Sequence, residues 1–388
     1  MILFVLDQRV SMSWPNSFKS LTIIFIVFQY LATVSCFPII GESSTQETLT
    51  TTTLDPKLLS TGLQIDSGNK DDKTNEVPKK PRDSSMFEFW SLESKAADWS
   101  YNNPSAWADL SGSSCGGIRQ SPINIQPSQS VRKSFPKFTF QNYGNIDKVD
   151  LINNGHTAVY SLPVNFPADR VPSITGGGLN DTYKFVQFHL HWGSDSSKGS
   201  EHLIRSRSHP AELHLVHYNT KYGTYADATT HSDGLAVLGV FLKIGSRDND
   251  AFRPLVEQLS EVPADGDETT LKNLVSLKDL LPAQTTSFYR YSGSLTTPKC
   301  NQIVTWTVFD NPLVISEQQL KKFRSLKNDV EEPLVNNFRP VQPLNDRTVL
   351  YRSFTGCEIP RSWPITWTPL LDAIKWSYCI IGFTLFGK

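Results

Sequence analysis

Between residues 138 and 309 apolar residues recur in short runs, many alternating with polar ones, and Gly, Pro, Asn and Asp punctuate the gaps. Alternation over about four to eight residues marks a half-buried strand. Strands are therefore predicted at 138–140, 149–152, 158–162, 183–192, 212–219, 236–244 and 303–309. Helical patterns are few: 252–259, 277–280 and 316–323, the last opened by Ser316 with Gln319 three residues on, a capping box. The pattern predicts a mainly β chain with short helices.

Along Tyr183-Lys184-Phe185-Val186-Gln187-Phe188-His189-Leu190-His191-Trp192-Gly193 successive side chains change faces. Gln187, His189 and His191 are expected on one side, and Val186, Phe188 and Leu190 on the other. The stretch Ala211-Glu212-Leu213-His214-Leu215-Val216-His217 repeats the alternation and puts His214 with Glu212 and Val216. Three neutral imidazoles on rigid strands, with a fourth position open, form the donor set of a catalytic zinc site. A lone His on an apolar strand is more often a hydrogen-bonded core residue, and His-X-His alone is modest evidence. Gln187 and Glu212 change the balance. Each stands two residues before a candidate ligand on the same face, where a partner for the second ring nitrogen would fix the tautomer. Zn2+ is the predicted cofactor.

The 388 residues could hold one large domain or two, and a net charge of -1 gives no sign of a nucleic-acid partner. Arg9 and Lys19 precede an apolar run from residue 21 to about 34, so 1–36 reads as a signal peptide or a short N-terminal anchor. The run of about 14 residues falls short of the roughly 20 that span a bilayer. Residues 37–90, rich in Thr and Ser, are predicted to be a disordered linker, since they bring too little apolar surface to bury. The tail, 355–388, ends in an apolar stretch and reads as a glycolipid-anchor signal or a membrane-associated or packed end, with Asp372 and Lys375 interrupting any full span. Export permits disulfides among Cys36, Cys115, Cys300, Cys357 and Cys379, and the odd count leaves at least one over. Asn180-Asp181-Thr182 is an N-glycosylation sequon, expected on a surface turn. The predicted location is secreted, or the extracellular face of the plasma membrane.

Further segments extend the pattern: Arg119-Gln120-Ser121-Pro122-Ile123-Asn124-Ile125, Asn153-Asn154-Gly155-His156, Ser200-Glu201-His202, Ser294-Leu295-Thr296-Thr297-Pro298 and Asn337-Phe338-Arg339-Pro340. Together with the two histidine strands, in this order over 98–354, they resemble the alpha-class carbonic anhydrases. The resemblance implies a large twisted, mostly antiparallel sheet with peripheral short helices and a conical zinc cleft. It implies reversible hydration of carbon dioxide to bicarbonate and a proton by zinc-bound hydroxide. The ligands would be His189, His191 and His214, held by Gln187, Glu212 and Asn337. Thr296 and Glu201 would orient the hydroxide, His156 would shuttle protons, and Tyr101 and Asn154 would order water. Val216, Val237, Leu295, Val304, Trp306 and Thr297 would line the substrate pocket.

By the same resemblance Cys115 pairs with Cys300, Ser121-Pro122 is cis, and His202 and His217 are structural. His209 and His231 read as loop residues. One departure concerns Val159, where several fast members carry Asn; it implies a poorer water network. The alternative reading is a non-catalytic extracellular binding module of the same fold, and the protein is expected to act as a monomer.

Overall fold

A computed structural model describes residues 99–353. The expected leader, linker and tail, with Cys36, Cys357 and Cys379, lie outside those residues. Among the described residues no helix is long and apolar enough to cross a membrane.

A 13-stranded sheet dominates. Its main path runs Glu268–Thr270, Asp150–Asn153, Ala158–Ser161, Tyr183–Trp192, Ala211–Asn219, Leu235–Gly245, Val304–Phe309, Phe288–Gly293, Leu350–Arg352, Val131–Arg132. Most neighbours are antiparallel. Leu235–Gly245 pairs in parallel with both Val304–Phe309 and Leu313–Ser316, and Leu350–Arg352 with Val131–Arg132. The central strands are covered on both faces, which is why 235–242 is buried without a break and reads as one apolar run.

One face carries the larger core, where Phe188, Leu190, Trp192, Leu213, Leu215 and Leu238 meet Leu255, Leu320 and Phe323 from the short helices. The helix Glu317–Phe323 forms as predicted, with Ser316 and Gln319 closing a capping box. Glu317 in its first turn and Lys321 and Lys322 in its last suit the helix dipole. The 252–259 pattern resolves into Asp250–Phe252, Arg253–Glu257 and Leu259–Glu261, the outer two being 3-10 turns. The helix expected at 277–280 is a turn: Lys278 N–H donates out of the segment to the Tyr143 carbonyl, and one turn is too short to nucleate a helix. Its Leu277 and Leu280 still reach the core.

A second correction concerns Val186. The register of Tyr183–Trp192 on Ala211–Asn219 shifts between Val216 and His217, leaving Val186 bulged. Val186 thus turns away from Phe188 and Leu190 and packs with Val216 and Val237 in a second cluster. A third cluster joins Trp99, Trp107, Cys115 and Cys300, and Cys115 and Cys300 are disulfide-bonded across 185 residues. The Ser121-Pro122 and Pro298-Lys299 peptides are cis.

Candidate metal centre

The two central histidine strands set the site. In their antiparallel register His214 faces His189, and Glu212 faces His191. Since His189 and His191 are two residues apart, they share a face, and opposite positions bring the third ring to them. Ring centroids lie 5.0 Å apart for His189 and His191, 5.3 Å for His189 and His214, and 4.6 Å for His191 and His214.

Hydrogen bonds fix which nitrogen of each ring carries its proton. His191 Nδ1 lies 2.7 Å from the Asn337 carbonyl oxygen, which only accepts, so Nδ1 donates and Nε2 keeps a lone pair. His214 Nε2 donates to Glu212 Oε1 at 2.9 Å, leaving the lone pair on Nδ1. His189 Nδ1 donates to Gln187 Oε1, also at 2.9 Å, leaving Nε2. Three lone pairs therefore converge, with His191 Nε2 and His214 Nδ1 3.1 Å apart and no proton for a bond between them. Burial pushes the His189 imidazole well below its ordinary pKa, and His191 and His214 reinforce the effect; burial lowers His191 too. Neutral, converging, desolvated donors suit a divalent cation that prefers nitrogen.

Glu212 serves two rings, because Oε1 also accepts from His202 Nδ1 at 2.7 Å. Burial would raise this carboxyl, but His202 and His214 outweigh it and hold it well below the usual range. Although His202, Glu212 and His214 also cluster, Oε1 is engaged by both rings, and the group reads as a hydrogen-bonded network. It continues through the Tyr291 hydroxyl, 2.6 Å from His202 Nε2 and 2.9 Å from Ser121 Oγ. His217, buried and beside the Tyr143 hydroxyl, is pushed down to about 3 by burial. His209 lies in a loop against Phe241, and His231 stacks on Tyr222.

One cleft gathers Tyr101, Asn154, His156, Val159, the three histidines, Val216, Val237, Leu295, Thr296, Thr297 and Trp306. Val304 is fully buried in the adjoining cluster and is not among the lining residues. Glu201 is buried; its Oε1 accepts the Arg339 backbone N–H at 2.8 Å. Its Oε2 has no hydrogen-bond partner and lies 3.5 Å from His191 Nε2 and 3.9 Å from His214 Nδ1, so Thr296 is not bonded to it here.

His156 leaves a turn in which Asn154 Oδ1 accepts from His156 N and Thr157 N at 3.2 and 2.9 Å. Gly155 holds φ +76°, and a Cβ there would lie 2.9 Å from Asp265 Oδ1. The His156 ring stacks on Trp99 at 3.8 Å and meets Tyr101 edge-on at 6.4 Å. Burial lowers its pKa to about 4, against a smaller opposing pull from Asp329. Burial and then Glu201 raise the Tyr101 hydroxyl well above its usual value.

Two residues carry more than sequence reading assigned. Trp99 had no role, although an aromatic two positions before Tyr101 was a visible signal. Arg339 lies within a quoted segment, and its buried guanidinium donates to Gln120 Oε1 and the Ser121 and Cys115 carbonyls at 2.8, 2.8 and 3.1 Å. It thereby ties the disulfide segment to the backbone that holds Glu201. Asn337 acts from both ends: beyond its carbonyl bond to His191, its side chain donates to the His156 and Leu190 carbonyls at 3.0 and 3.2 Å and accepts from Trp192 N at 2.7 Å.

A family model described as eukaryotic-type carbonic anhydrase matches residues 102–353. Carbonic anhydrase 7 of Homo sapiens is 41% identical over 260 residues, 65% of this chain and 96% of that protein. Carbonic anhydrase 15 of Mus musculus is 38% identical over 268 residues, covering 65% and 82%.

Proposed function

The chain belongs to the alpha-class carbonic anhydrases, and from that premise we propose that it reversibly hydrates carbon dioxide to bicarbonate and a proton, with Zn2+ held by His189, His191 and His214. The observation that carries this reading is the convergence of three lone pairs, each imposed by an acceptor on the far side of its ring. When bound, zinc supplies a Lewis acid that lets water lose a proton near neutral pH, a property for which this family is the standard example.

The chain's own residues do the rest. Val216, Val237, Leu295 and Trp306 give the cleft an apolar flank beside the histidines, suited to an uncharged, apolar substrate. A carboxylate only accepts, so Glu201 can engage the Thr296 hydroxyl only as acceptor, which leaves the Thr296 oxygen to accept from the nucleophile. That role requires the free Oε2 of Glu201 to close onto Thr296. His156 takes the released proton and passes it to solvent, and leaving the Trp99 stack gives its ring the exposure that a shuttle needs. The disulfide and the exposed sequon support a location outside the cytosol, secreted or at the extracellular face of the plasma membrane.

The test is zinc content and stopped-flow carbon dioxide hydration on one sample of the full chain and of His191→Ala. About one zinc per chain with fast hydration, both lost in the variant, is expected. Zinc bound without hydration would overturn the catalytic reading in favour of the binding module. Activity retained in the variant would overturn the ligand assignment.

A further inference from the structure

A polar hollow of about 430 Å³ opens beside Asn180 and shares no lining residue with the cleft at the metal centre. It is a shallow, largely open depression on the surface. Its wall combines Asp181, Thr182, Thr220 and Lys221 with Leu179 and Gly176. Hydroxyls and a carboxylate around one apolar contact are what a pyranose ring with an acetamido group can use, while the Lys221 ammonium lies over the adjoining Tyr222 ring. The site described above makes no use of it.

The backbone around the hollow is held in place. Gly176 holds φ +72°, and a Cβ there would lie 2.2 Å from the Lys137 carbonyl oxygen, so this part of the wall cannot carry a side chain. Opposite, the Thr182 carbonyl accepts from both Thr220 N and Thr220 Oγ1 at 3.0 Å, and Asn219 Nδ2 donates to Asp181 Oδ2, also at 3.0 Å. These bonds pin the last two residues of the sequon to the end of the neighbouring strand. Asn180 itself is exposed on a bend. A side chain is thus presented to solvent from a fixed root, beside a polar hollow.

We propose that Asn180 carries an N-linked glycan whose first N-acetylglucosamine settles into this hollow, against Leu179 and within reach of Thr220 and Lys221. The bond formed joins Asn180 Nδ2 to the sugar's anomeric carbon as that carbon's bond to the lipid pyrophosphate of an oligosaccharide donor breaks; the lipid pyrophosphate leaves, and a base of the cell's glycosyltransferase takes the proton lost from Nδ2. The proposal needs the chain to enter the secretory pathway, and stands apart from the hydration chemistry.

The experiment secretes the full chain from insect cells and compares it before and after peptide N-glycosidase treatment. Trimming to a single sugar by an endoglycosidase is run in parallel. Conversion of Asn180 to Asp by the first enzyme, read by peptide mass, is expected, and Asn180→Gln should abolish the modification. Complete removal should lower Tm by about 2–4 °C and speed amide exchange at 179–182 and 220–221, whereas trimming to one sugar should do neither. Lys221→Ala should narrow the difference in Tm. An unmodified Asn180 in the secreted chain, or a chain retained without a glycan, overturns the assignment. A glycan whose complete removal changes neither Tm nor exchange overturns the cradle.

Discussion

Replacing Trp99 by Leu should raise the basicity of His156. In the folded protein burial holds that ring at about 4, whereas an unperturbed imidazole titrates near 6.5. The difference corresponds to about 3 kcal/mol in favour of the neutral ring. The Trp99 indole stacks on one face of the imidazole, ring centroids 3.8 Å apart, so removing it uncovers that face. The expected midpoint in Trp99→Leu is at least about one pH unit higher, toward the ordinary value. The assay is an NMR titration of the His156 Cε1–H resonance, assigned by its disappearance in His156→Ala. The sign of the linked stability follows: the unfolded chain takes up a proton near 6.5 and the folded one only near 4. Stability from this group is therefore complete above about pH 6.5, falls as pH drops, and levels off below about 4. In Trp99→Leu that loss should be compressed into a narrower pH range, whatever the variant costs overall. A wild-type midpoint near 6.5, or an unchanged midpoint in the variant, would refute the argument that the stack sets the proton affinity.

Three further outcomes can be checked directly. Glu212→Ala removes the acceptor that fixes His214 and should weaken zinc binding about 10–100-fold, measured by competition with a chelating dye; unchanged affinity would remove Glu212 from the supporting role. Cys115→Ser opens a loop of 185 residues, and loop entropy sets a ceiling of about 5 kcal/mol on the loss, with about 2–4 typical; denaturant unfolding should show it, and a loss below about 1 kcal/mol would contradict the estimate. Gly155→Ala places a Cβ 2.9 Å from Asp265 Oδ1 at φ +76°, so a cost of about 1–3 kcal/mol is expected; equal stability to urea would show that the turn relaxes freely.

What could be read in advance was what two periodicities encode. The alternation through His189 and His191 predicted a strand over 183–192, and the observed strand, Tyr183–Trp192, has those ends. Ser316 and Gln319 announced their helix for the same reason: capping is local chemistry. Val186 could not be placed, because a bulge is a property of two strands and leaves the sequence of one unmarked. The strand Phe288–Gly293 went unread because it mixes Arg290 and Ser292 with aromatics, and its pairing with Val304–Phe309 supplies the order that its own pattern lacks. At the site the ligands and their Gln and Glu partners were legible, being two residues apart. The Asn337 carbonyl and the Arg339 backbone N–H were harder to assign from the residues themselves, since a main-chain group looks the same whatever side chain it bears.

The donor set depends on one ladder, the pairing of His214 with His189 and of Glu212 with His191. A slip of one residue would exchange the faces, sending both histidines of the first strand into the apolar core and Phe188 and Leu190 toward the cleft. Such a chain could keep most of its hydrogen bonds and still hold no cation. A cation that needs all three rings would bind only chains zipped in this register, so its binding would favour the correct pairing over a slipped one by mass action.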